Sequence, residues 1–354
     1  MNPLSFVIVG SGWRAMFYVR LAQRFPKLFH LQYVLCRTQE KARKLQQEGI
    51  PAVASPDKCR AANPDFVVVA VSKSSISQVA EEWAMMGFPV LCETPAGMSI
   101  AELKRLWELQ QRQGARIQVA EQYCRYPAIK AGLNAVQEGL LGEPYAVSLS
   151  VAHDYHAVSL IRHMLGTGIE SVKLIGKKYC FPVTETDSRY GPVTDGSVKD
   201  RERTRVEMGF ASGKYAFYDF SGVQYHSFIR ARHLNVQGRD GEWNDTYLRY
   251  VDGEHQSVER CLLSYLDPAY AVLETEKLRE ESRTWTPALT LSEEQDEYAI
   301  ATMLFDMGEY IRTGQEVYPL SHALEDAYVW LLMQEAVRRP GEIIESQAMP
   351  WQRS

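Results

Sequence analysis

The chain has 354 residues, of which 45% are hydrophobic and 23% charged, as in an ordinary globular protein long enough for two domains. A formal net charge of −5 and the lack of any apolar run near ~20 residues argue against nucleic acid or a membrane as partner. The six cysteines stand singly, without C-x-x-C spacing, and the N-terminus lacks a basic leader segment, so we expect reduced thiols, no metal site and a cytoplasmic location.

The first third of the chain alternates apolar runs with helical stretches. The runs at 6–9, 31–35, 66–71 and 89–92 are typical of strands buried on both faces. Helix signals lie between and after them: Thr38 and Ser55 as N-caps, and Ser99 with Glu102 as a capping box before a helix that closes at Gly114. This alternation predicts an N-terminal α/β domain over residues 1–122, with the doubly wound parallel sheet of a Rossmann fold.

The pattern changes after Glu121. Helices are expected near 129–139 and 156–165, and residues 172–263 look mostly like strands with hairpin turns. The polar stretch 184–202 is predicted to be a loop or lid. Two further helices are expected at 294–313 and 321–338. We therefore predict a second, α+β domain over residues 123–354, with a large open antiparallel sheet, flanking helices, and closing helices that can pack back on the first domain.

A glycine-rich segment directly follows the first predicted strand and opens a helix. Its residues Gly10, Gly12 and Ala15 fit the pattern G-x-G-x-x-A, with Trp13 and Arg14 in the intervening positions. The first glycine permits a tight turn, the second lets the backbone approach a pyrophosphate, and the small third residue lets helix and strand pack closely. The segment therefore predicts a dinucleotide site at a helix N-terminus, the alternative being a tight turn that binds nothing.

The end of the second predicted strand bears on the choice of cofactor. An NAD site usually has a carboxylate here to bind the ribose 2′-hydroxyl, but this chain has Arg37 and Thr38, with Lys41 close behind. An arginine can pair with the 2′-phosphate of NADP through its planar guanidinium. NADP is therefore the preferred cofactor and NAD the alternative, in which case Arg37 is an ordinary solvated residue.

Four segments together resemble the glucose–fructose oxidoreductase, inositol dehydrogenase and rhizopine-catabolism (Gfo/Idh/MocA) family. They are the glycine-rich segment, the run ending in Val71 and Ser72, the segment around Glu93 and Thr94, and the stretch from Glu121 to Pro144. By this resemblance Val71, Ser72, Glu93 and Thr94 contact the cofactor. The resemblance also implies a Rossmann domain followed by a substrate domain, and sugar-like substrates.

The chain departs from the family in its catalytic residues. The family's E-K-P lysine is replaced by Thr94, which can hydrogen-bond a substrate oxygen but cannot supply a positive charge. The family histidine is matched by His156, ten residues before Gly166, whereas the family aspartate four positions earlier is replaced by Ala152. The resemblance therefore makes His156 the first candidate for proton transfer.

Neighbouring side chains are candidates to replace the lost groups. We predict His153 and Thr94 as further catalytic groups, although His153 could equally be a loop side chain, and two histidines without a third ligand do not predict a metal site. Asp154 is a substrate candidate, but an N-cap of the following helix is its more ordinary role. Tyr123 and Arg125, which follow the nucleotide domain, and Tyr225 and His226, on the predicted strands, complete the substrate candidates.

The expected function is NAD(P)-dependent hydride transfer to or from a small polar substrate, sugar-like or sugar-derived. Three alternatives stay open: reduction of an imine or conjugated bond, a redox-assisted glycosidase or lyase, and a non-catalytic NADP-binding sensor. By family resemblance the spare face of the open sheet joins subunits into a homodimer or homotetramer.

Overall fold

The structure, a computed structural model, describes residues 3–188, 191–262 and 293–353. The chain divides into two compact units. The first comprises Met1–Gln122 with two later segments, Asp296–Tyr328 and Pro350–Ser354, and the second comprises Tyr123–Gln295 and Val329–Met349. Neither unit is therefore one unbroken stretch of chain.

The first unit contains a six-stranded parallel sheet in the order β3-β2-β1-β4-β5-β6. Its strands are β1 (Leu4–Val9), β2 (Phe29–Leu35), β3 (Ala52–Val53), β4 (Phe66–Val69), β5 (Val90–Cys92) and β6 (Ile117–Val119). The connecting helices are α1 (Trp13–Arg24), α2 (Gln39–Gln47), α3 (Pro56–Ala61), α4 (Ile76–Met85) and α5 (Ile100–Gln113). The prediction of a Rossmann-type parallel sheet is confirmed. The apolar pattern did not reveal β3, which has only two residues, or β6, in which the polar Gln118 interrupts the apolar run.

The ends of these helices follow the capping residues read from the sequence. The side chains of Thr38, Ser55 and Ser99 each accept a hydrogen bond from the backbone N–H three residues later. Gly114 ends α5 in the left-handed conformation. The Glu102 carboxylate accepts from the backbone N–H of Met98, at 2.6 Å, so it extends the cap one residue further back than a capping box would.

The second unit is built on a nine-stranded sheet in the order β16-β15-β14-β13-β7-β12-β11-β8-β17. Its strands are β7 (Pro144–Ser150), β8 (Val172–Thr184), β11 (Val198–Phe210), β12 (Tyr215–Phe220), β13 (His233–Gly238), β14 (Gly241–Asn244), β15 (Tyr247–Val251), β16 (Ser257–Cys261) and β17 (Ile344–Glu345). The helices α6 (Pro127–Gln137) and α7 (Asp154–Leu165) flank β7 in the chain. The helices α8 (Glu293–Thr313) and α9 (Leu320–Arg338) follow later in the chain; α8 belongs to the first unit from Asp296 onward, and α9 passes from the first unit to the second after Tyr328. Leu263, the end of the predicted strand region, lies outside the described residues.

The large sheet is mixed rather than wholly antiparallel. All its described pairs are antiparallel except β12 with β7, which run parallel from Tyr215 opposite Ala146 to Tyr218 opposite Leu149. The predicted large, open antiparallel sheet is confirmed, and this one parallel pair is a detail that the hairpin signals of the sequence did not reveal. The chain that leaves β7 passes through α7, β8 and β11 before β12, a connection long enough to bring β12 alongside β7 in the same direction.

The stretch 184–202 is only partly a loop. Strands β8 and β11 pair over their full lengths, from Val172 opposite Phe210 to Thr184 opposite Val198, so residues 198–202 belong to a strand. Between these strands β9 (Asp187–Ser188) pairs with β10 (Gly191–Pro192). The loop prediction failed because this end of the hairpin is largely exposed and carries polar residues on both faces. The alternation of apolar and polar residues that identifies a strand in a sequence is therefore absent here. Hairpin turns were predicted at residues 210–215, at Asp240-Gly241 and at Asp252-Gly253, and the structure has turns between paired strands at 211–214, 239–240 and 252–256. Among the described helices there is none of the length and apolarity that a bilayer crossing needs.

Candidate cofactor and substrate sites

The two glycines of the N-terminal loop have different physical roles. Gly10 adopts φ +118°, and a Cβ there would lie 2.2 Å from the backbone oxygen of Ala70, at the end of β4. A Cβ on Gly12 would meet no atom within 4 Å. The first glycine is thus required by the approach of two strands, whereas the second borders open space.

The open space at Gly12 suits a phosphate group. Gly12 is the N-cap of α1 and forms no side-chain cap, and the first turn of α1 contains no acidic residue. The backbone N–H groups at the N-terminus of α1 are therefore oriented to receive a negatively charged ligand. Ala15 is fully buried, as close packing of helix and strand requires, whereas Trp13 is half exposed and packs edge-on against Phe17. These features fit the pyrophosphate of a dinucleotide.

The proposed ribose end of the site carries positive charge. Arg37 and Thr38 directly follow β2 and are both exposed, and Lys41 and Arg43 are exposed on α2. The Thr38 hydroxyl oxygen accepts from the backbone N–H of Lys41 at 3.2 Å, so its own proton is free for another acceptor. An exposed guanidinium at this position fits a 2′-phosphate.

Three other predicted cofactor residues also follow strand ends. Val71 is half-buried and Ser72 is exposed after β4, where the Ser72 hydroxyl lies 3.3 Å from that of Ser75 at the start of α4. Thr94 follows β5 and is half-buried, with a cis peptide bond to Pro95. Because the carboxyl ends of parallel strands meet at one edge of the sheet, these residues and the Gly10 loop share that edge, where such sheets bind ligands.

Arg14 and Glu93 belong to a buried polar network. The Arg14 guanidinium donates to Asp296 at 2.9 Å and lies 3.8 Å from Glu93, whose carboxylate accepts from the Tyr18 hydroxyl at 2.6 Å. Burial raises the pKa of Glu93, and the nearby Arg14 and the Tyr18 hydrogen bond oppose that rise. The network fixes the backbone that presents Thr94, and it engages the Arg14 side chain with protein carboxylates.

The predicted catalytic residues of the second unit lie at the start of α7. Helix α7 begins at Asp154, with His153 as the N-cap and no side-chain cap. Asp154 as N-cap is therefore wrong: it is the first helical residue and has φ +53°, in the left-handed region where aspartate is one of the few tolerated residues. Its backbone N–H points to the Tyr218 hydroxyl at 3.4 Å.

Tyr225 lies in a one-turn 3-10 helix, Gly222–Tyr225, and not on a strand as predicted. Ser221 and Gln224 close this turn with a reciprocal capping box. The buried Gln224 amide also donates to the Ala231 carbonyl at 2.6 Å and to the Ser150 hydroxyl at 3.0 Å. These bonds hold the turn that carries Tyr225 against Ser150, the last residue of β7, and His153 lies three residues after Ser150 in the chain.

Tyr225 is the centre of a cluster of predicted residues. Its hydroxyl lies 2.5 Å from Nδ1 of His153 and 3.2 Å from the Tyr123 hydroxyl, and it accepts from the backbone N–H of His153 at 3.2 Å. The guanidinium of Arg232 lies 4.7 Å from the centre of the Tyr225 ring. Tyr123, His153 and Tyr225, predicted from separate segments, are therefore brought together.

His156 belongs to the same cluster but is almost completely covered. It is 3% exposed, and its ring lies 4.5 Å from that of Tyr123, 4.4 Å from that of Tyr155 and 5.0 Å from that of His153. Of the two histidines, His153 is the one that retains partial exposure.

The other predicted substrate residues are less involved. His226 is exposed at the end of the 3-10 turn, with its ring 6.5 Å from that of Tyr225, and Arg125 is half-buried in the turn Tyr123–Arg125. Sequence reasoning did not select Tyr155, Tyr218 or Arg232. The inward alternation of Tyr218 and Phe220 at the end of β12 was the available signal for Tyr218.

The tyrosines of the cluster are held in their neutral form. Burial raises the pKa of Tyr123 and of Tyr225, and for Tyr225 the Tyr123 hydrogen bond and the Arg232 charge act in the opposite direction. Burial likewise raises the pKa of Tyr218. At neutral pH these groups therefore act as hydroxyl donors and acceptors.

Comparisons with known proteins bear on the family of the N-terminal domain and on the fold. Residues 4–121 match the family model described as "Oxidoreductase family, NAD-binding Rossmann fold". A rhizopine catabolism protein, MocA, from Rhizobium meliloti is 25% identical over 149 residues, which are 42% of this chain and 47% of that protein, so the match spans about half of the relative.

Solved structures resemble the chain over nearly its whole length. An NAD binding oxidoreductase from Klebsiella pneumoniae is 16% identical, with a TM-score of 0.71 and coverage of 98% of this chain and 100% of the other. A levoglucosan dehydrogenase in complex with NADH is 14% identical, with a TM-score of 0.70 and the same coverage of both chains. At this identity the likeness shows the fold.

Proposed function

Because its N-terminal domain, residues 4–121, belongs to the Gfo/Idh/MocA family of oxidoreductases, we propose that this protein transfers hydride between NADP(H) and a small sugar-like or sugar-derived substrate. The observation that carries the proposal is the loop at Gly10 and Gly12, a tight turn that leaves open space beside an uncapped helix N-terminus. NAD(P) supplies or accepts the hydride, and the chain's residues bind, orient and move the proton.

The preference for NADP is supported by charge. Arg37 is exposed where a carboxylate would bind the ribose of NAD, and within the described residues it forms no ion pair. A guanidinium in this position can form a bidentate pair with a 2′-phosphate, which NAD lacks.

The substrate class is supported by the polar groups of the second unit. Tyr123, His153, Tyr225 and the nearby Arg232 provide hydroxyl, imidazole and guanidinium groups, which can hydrogen-bond the hydroxyls of a polyol. The proposal of a sugar-like or sugar-derived substrate is also in keeping with a protein of the same fold that is named levoglucosan dehydrogenase.

The test of this function measures binding and turnover separately. NADPH and NADH are titrated by fluorescence, and a panel of aldoses, inositols, sugar lactones and anhydrosugars is assayed by nicotinamide absorbance in both directions. We expect tighter binding of NADPH and turnover of at least one panel member. Binding of NADPH without turnover of any compound would favour a non-catalytic sensor, and product formation without net cofactor change would favour a redox-assisted glycosidase or lyase.

We also propose that the protein works as a homodimer or homotetramer in the cytoplasm. The outer face of the large sheet exposes the aromatic side chains of Tyr145, Tyr215 and Phe217, whose rings pack at 6.4 Å (Tyr145–Tyr215) and 5.7 Å (Tyr215–Phe217). Exposed apolar patches of this kind mark subunit contacts. Light scattering at micromolar concentration tests this, with Phe217→Glu expected to shift the mass toward the monomer.

A further inference from the structure

Three side chains of the second unit form a hydrogen-bonded row in the order Tyr123, Tyr225, His153. The hydroxyl oxygens of the two tyrosines are 3.2 Å apart, and the Tyr225 oxygen lies 2.5 Å from Nδ1 of His153. The middle hydroxyl also accepts from the backbone N–H of His153, which fixes its place next to the imidazole.

The direction of the protons in this row follows from acidity. An imidazole nitrogen is a much stronger acceptor than a phenol oxygen. Tyr225 is the more acidic phenol of the two, because it receives the backbone N–H and lies beneath the Arg232 guanidinium. Tyr225 therefore donates to Nδ1 of His153, and Tyr123 donates to Tyr225. With Nδ1 acting as an acceptor, the proton of neutral His153 is on Nε2.

Exposure separates the two histidines. His156 is 3% exposed and lies against the rings of Tyr123 and Tyr155, whereas His153 is only half-buried. A group that exchanges a proton with a substrate must reach it, so the accessible imidazole is that of His153.

We propose that His153, held in its Nε2–H form by the Tyr225 hydroxyl, is the proton donor and acceptor of this enzyme, and that Tyr225 is its positioning and relay residue. This inference rests on the proposed function, and it assigns the proton transfer to a residue other than the histidine in the family position.

The proton transfer balances along the row. In the reducing direction, for which a bound reduced nicotinamide would supply the hydride, the substrate carbonyl oxygen takes the proton from Nε2 of His153. Nδ1 then takes the proton of Tyr225, so that His153 stays neutral and Tyr225 becomes a phenolate. The Tyr123 hydroxyl, the backbone N–H of His153 and the Arg232 charge stabilise that phenolate. Solvent then returns a proton to Nε2, and Nδ1 gives its proton back to Tyr225, which restores the starting Nε2–H form.

The relay solves a chemical difficulty. Neutral imidazole is a very weak acid, and without a second proton source it would be left as an anion. Donation by Tyr225 transfers that charge to a phenol, a far more stable anion, beside a guanidinium. The relay thereby compensates for the absent family lysine, which Thr94 cannot replace.

The first test is the tautomer of His153, read by long-range ¹H–¹⁵N NMR of the protein with labelled histidine. We expect an unprotonated, hydrogen-bonded Nδ1 and a protonated Nε2 in the wild type. Tyr225→Phe should shift the Nδ1 signal or mix the tautomers, whereas Tyr123→Phe, which also removes one phenolic hydroxyl, should preserve the Nε2–H form. A protonated Nδ1 in the wild type, or an unchanged signal in Tyr225→Phe, overturns the inference.

The second test is turnover with the panel of sugars and polyols described above. His153→Gln should lower kcat by ~10²–10⁴-fold and Tyr225→Phe by at least ~10-fold, with little change in NADPH affinity, since the cofactor residues lie in the first unit. Full kcat in His153→Gln, with wild-type turnover present, overturns the inference and leaves the proposed function standing. No wild-type turnover overturns the proposed function, and the tautomer measurement still decides whether the relay exists.

Discussion

A side-chain carbon at Gly10 would lie 2.2 Å from the backbone oxygen of Ala70, whereas one at Gly12, two residues later, would touch nothing. This difference predicts opposite outcomes for two similar substitutions. Gly12→Val should fold with near-normal stability and lose dinucleotide affinity, because it fills the space beside the helix N-terminus. Gly10→Ala should instead destabilise the protein, since the Cβ must displace a strand end. Urea unfolding and NADPH titration of both variants check this prediction. An undiminished affinity for NADPH in Gly12→Val would mean that the loop is a tight turn that binds no dinucleotide.

Arg37 gives a prediction on cofactor choice. Arg37→Glu should weaken NADPH binding by ~10–100-fold, which corresponds to the loss of one charge-assisted hydrogen-bonded pair. The affinity for NADH should stay the same or improve. Arg43→Glu, which changes the charge equally at an exposed position on α2, is the matched control and should have a much smaller effect. Equal losses in both variants would show that only the general positive potential counts.

The buried Glu93 predicts a pH dependence of stability. Because burial raises its pKa above that of the unfolded chain, the folded state favours the protonated form. This contribution to the free energy of unfolding is fully present below about pH 4 and is lost as the pH rises through the raised pKa. The stability of the wild type relative to Glu93→Gln should therefore decline from acid to neutral pH in urea unfolding. The exposed Glu48→Gln is the control, and a flat difference for Glu93→Gln would contradict the prediction.

The left-handed conformation of Asp154 predicts an unusual order of substitutions. Asp154→Gly should be tolerated, whereas Asp154→Ala should cost about 1 kcal/mol more, because a Cβ without a local hydrogen bond disfavours φ +53°. In an ordinary first helical turn alanine would be the better residue. Chemical unfolding of the two variants decides, and a more stable alanine variant would argue against this backbone geometry.

The two histidines are distinguished by matched substitutions. His153→Gln should lower kcat by ~10²–10⁴-fold, the usual contribution of general acid–base catalysis. His156→Phe retains a ring between Tyr123 and Tyr155 and should lower kcat by a clearly smaller factor. A loss in His156→Phe as large as that in His153→Gln would return the proton transfer to the histidine in the family position.

Most of the nucleotide-binding half could be predicted from sequence because its signals are local. A buried strand, a glycine-rich turn and a capped helix each occupy a few consecutive residues, and the Gly10 loop and the caps at Thr38, Ser55 and Ser99 were found where expected. Strand β3 escaped detection because two residues are too few to show a hydrophobic period, and β6 because the polar Gln118 interrupts its apolar run.

The substrate half depended on tertiary structure. Tyr123, His153, Tyr225 and Arg232 come from four separate segments, and no spacing in the sequence relates the hydroxyl of Tyr225 to Nδ1 of His153. The same holds for Arg14 and Asp296, which are 282 residues apart in the chain.

The sequence by itself determined which chemical groups are present and which cofactor loop the chain forms. Only the folded chain decided which of these groups share a proton, because a hydrogen bond needs its atoms within about 3 Å and sequence patterns report only local geometry.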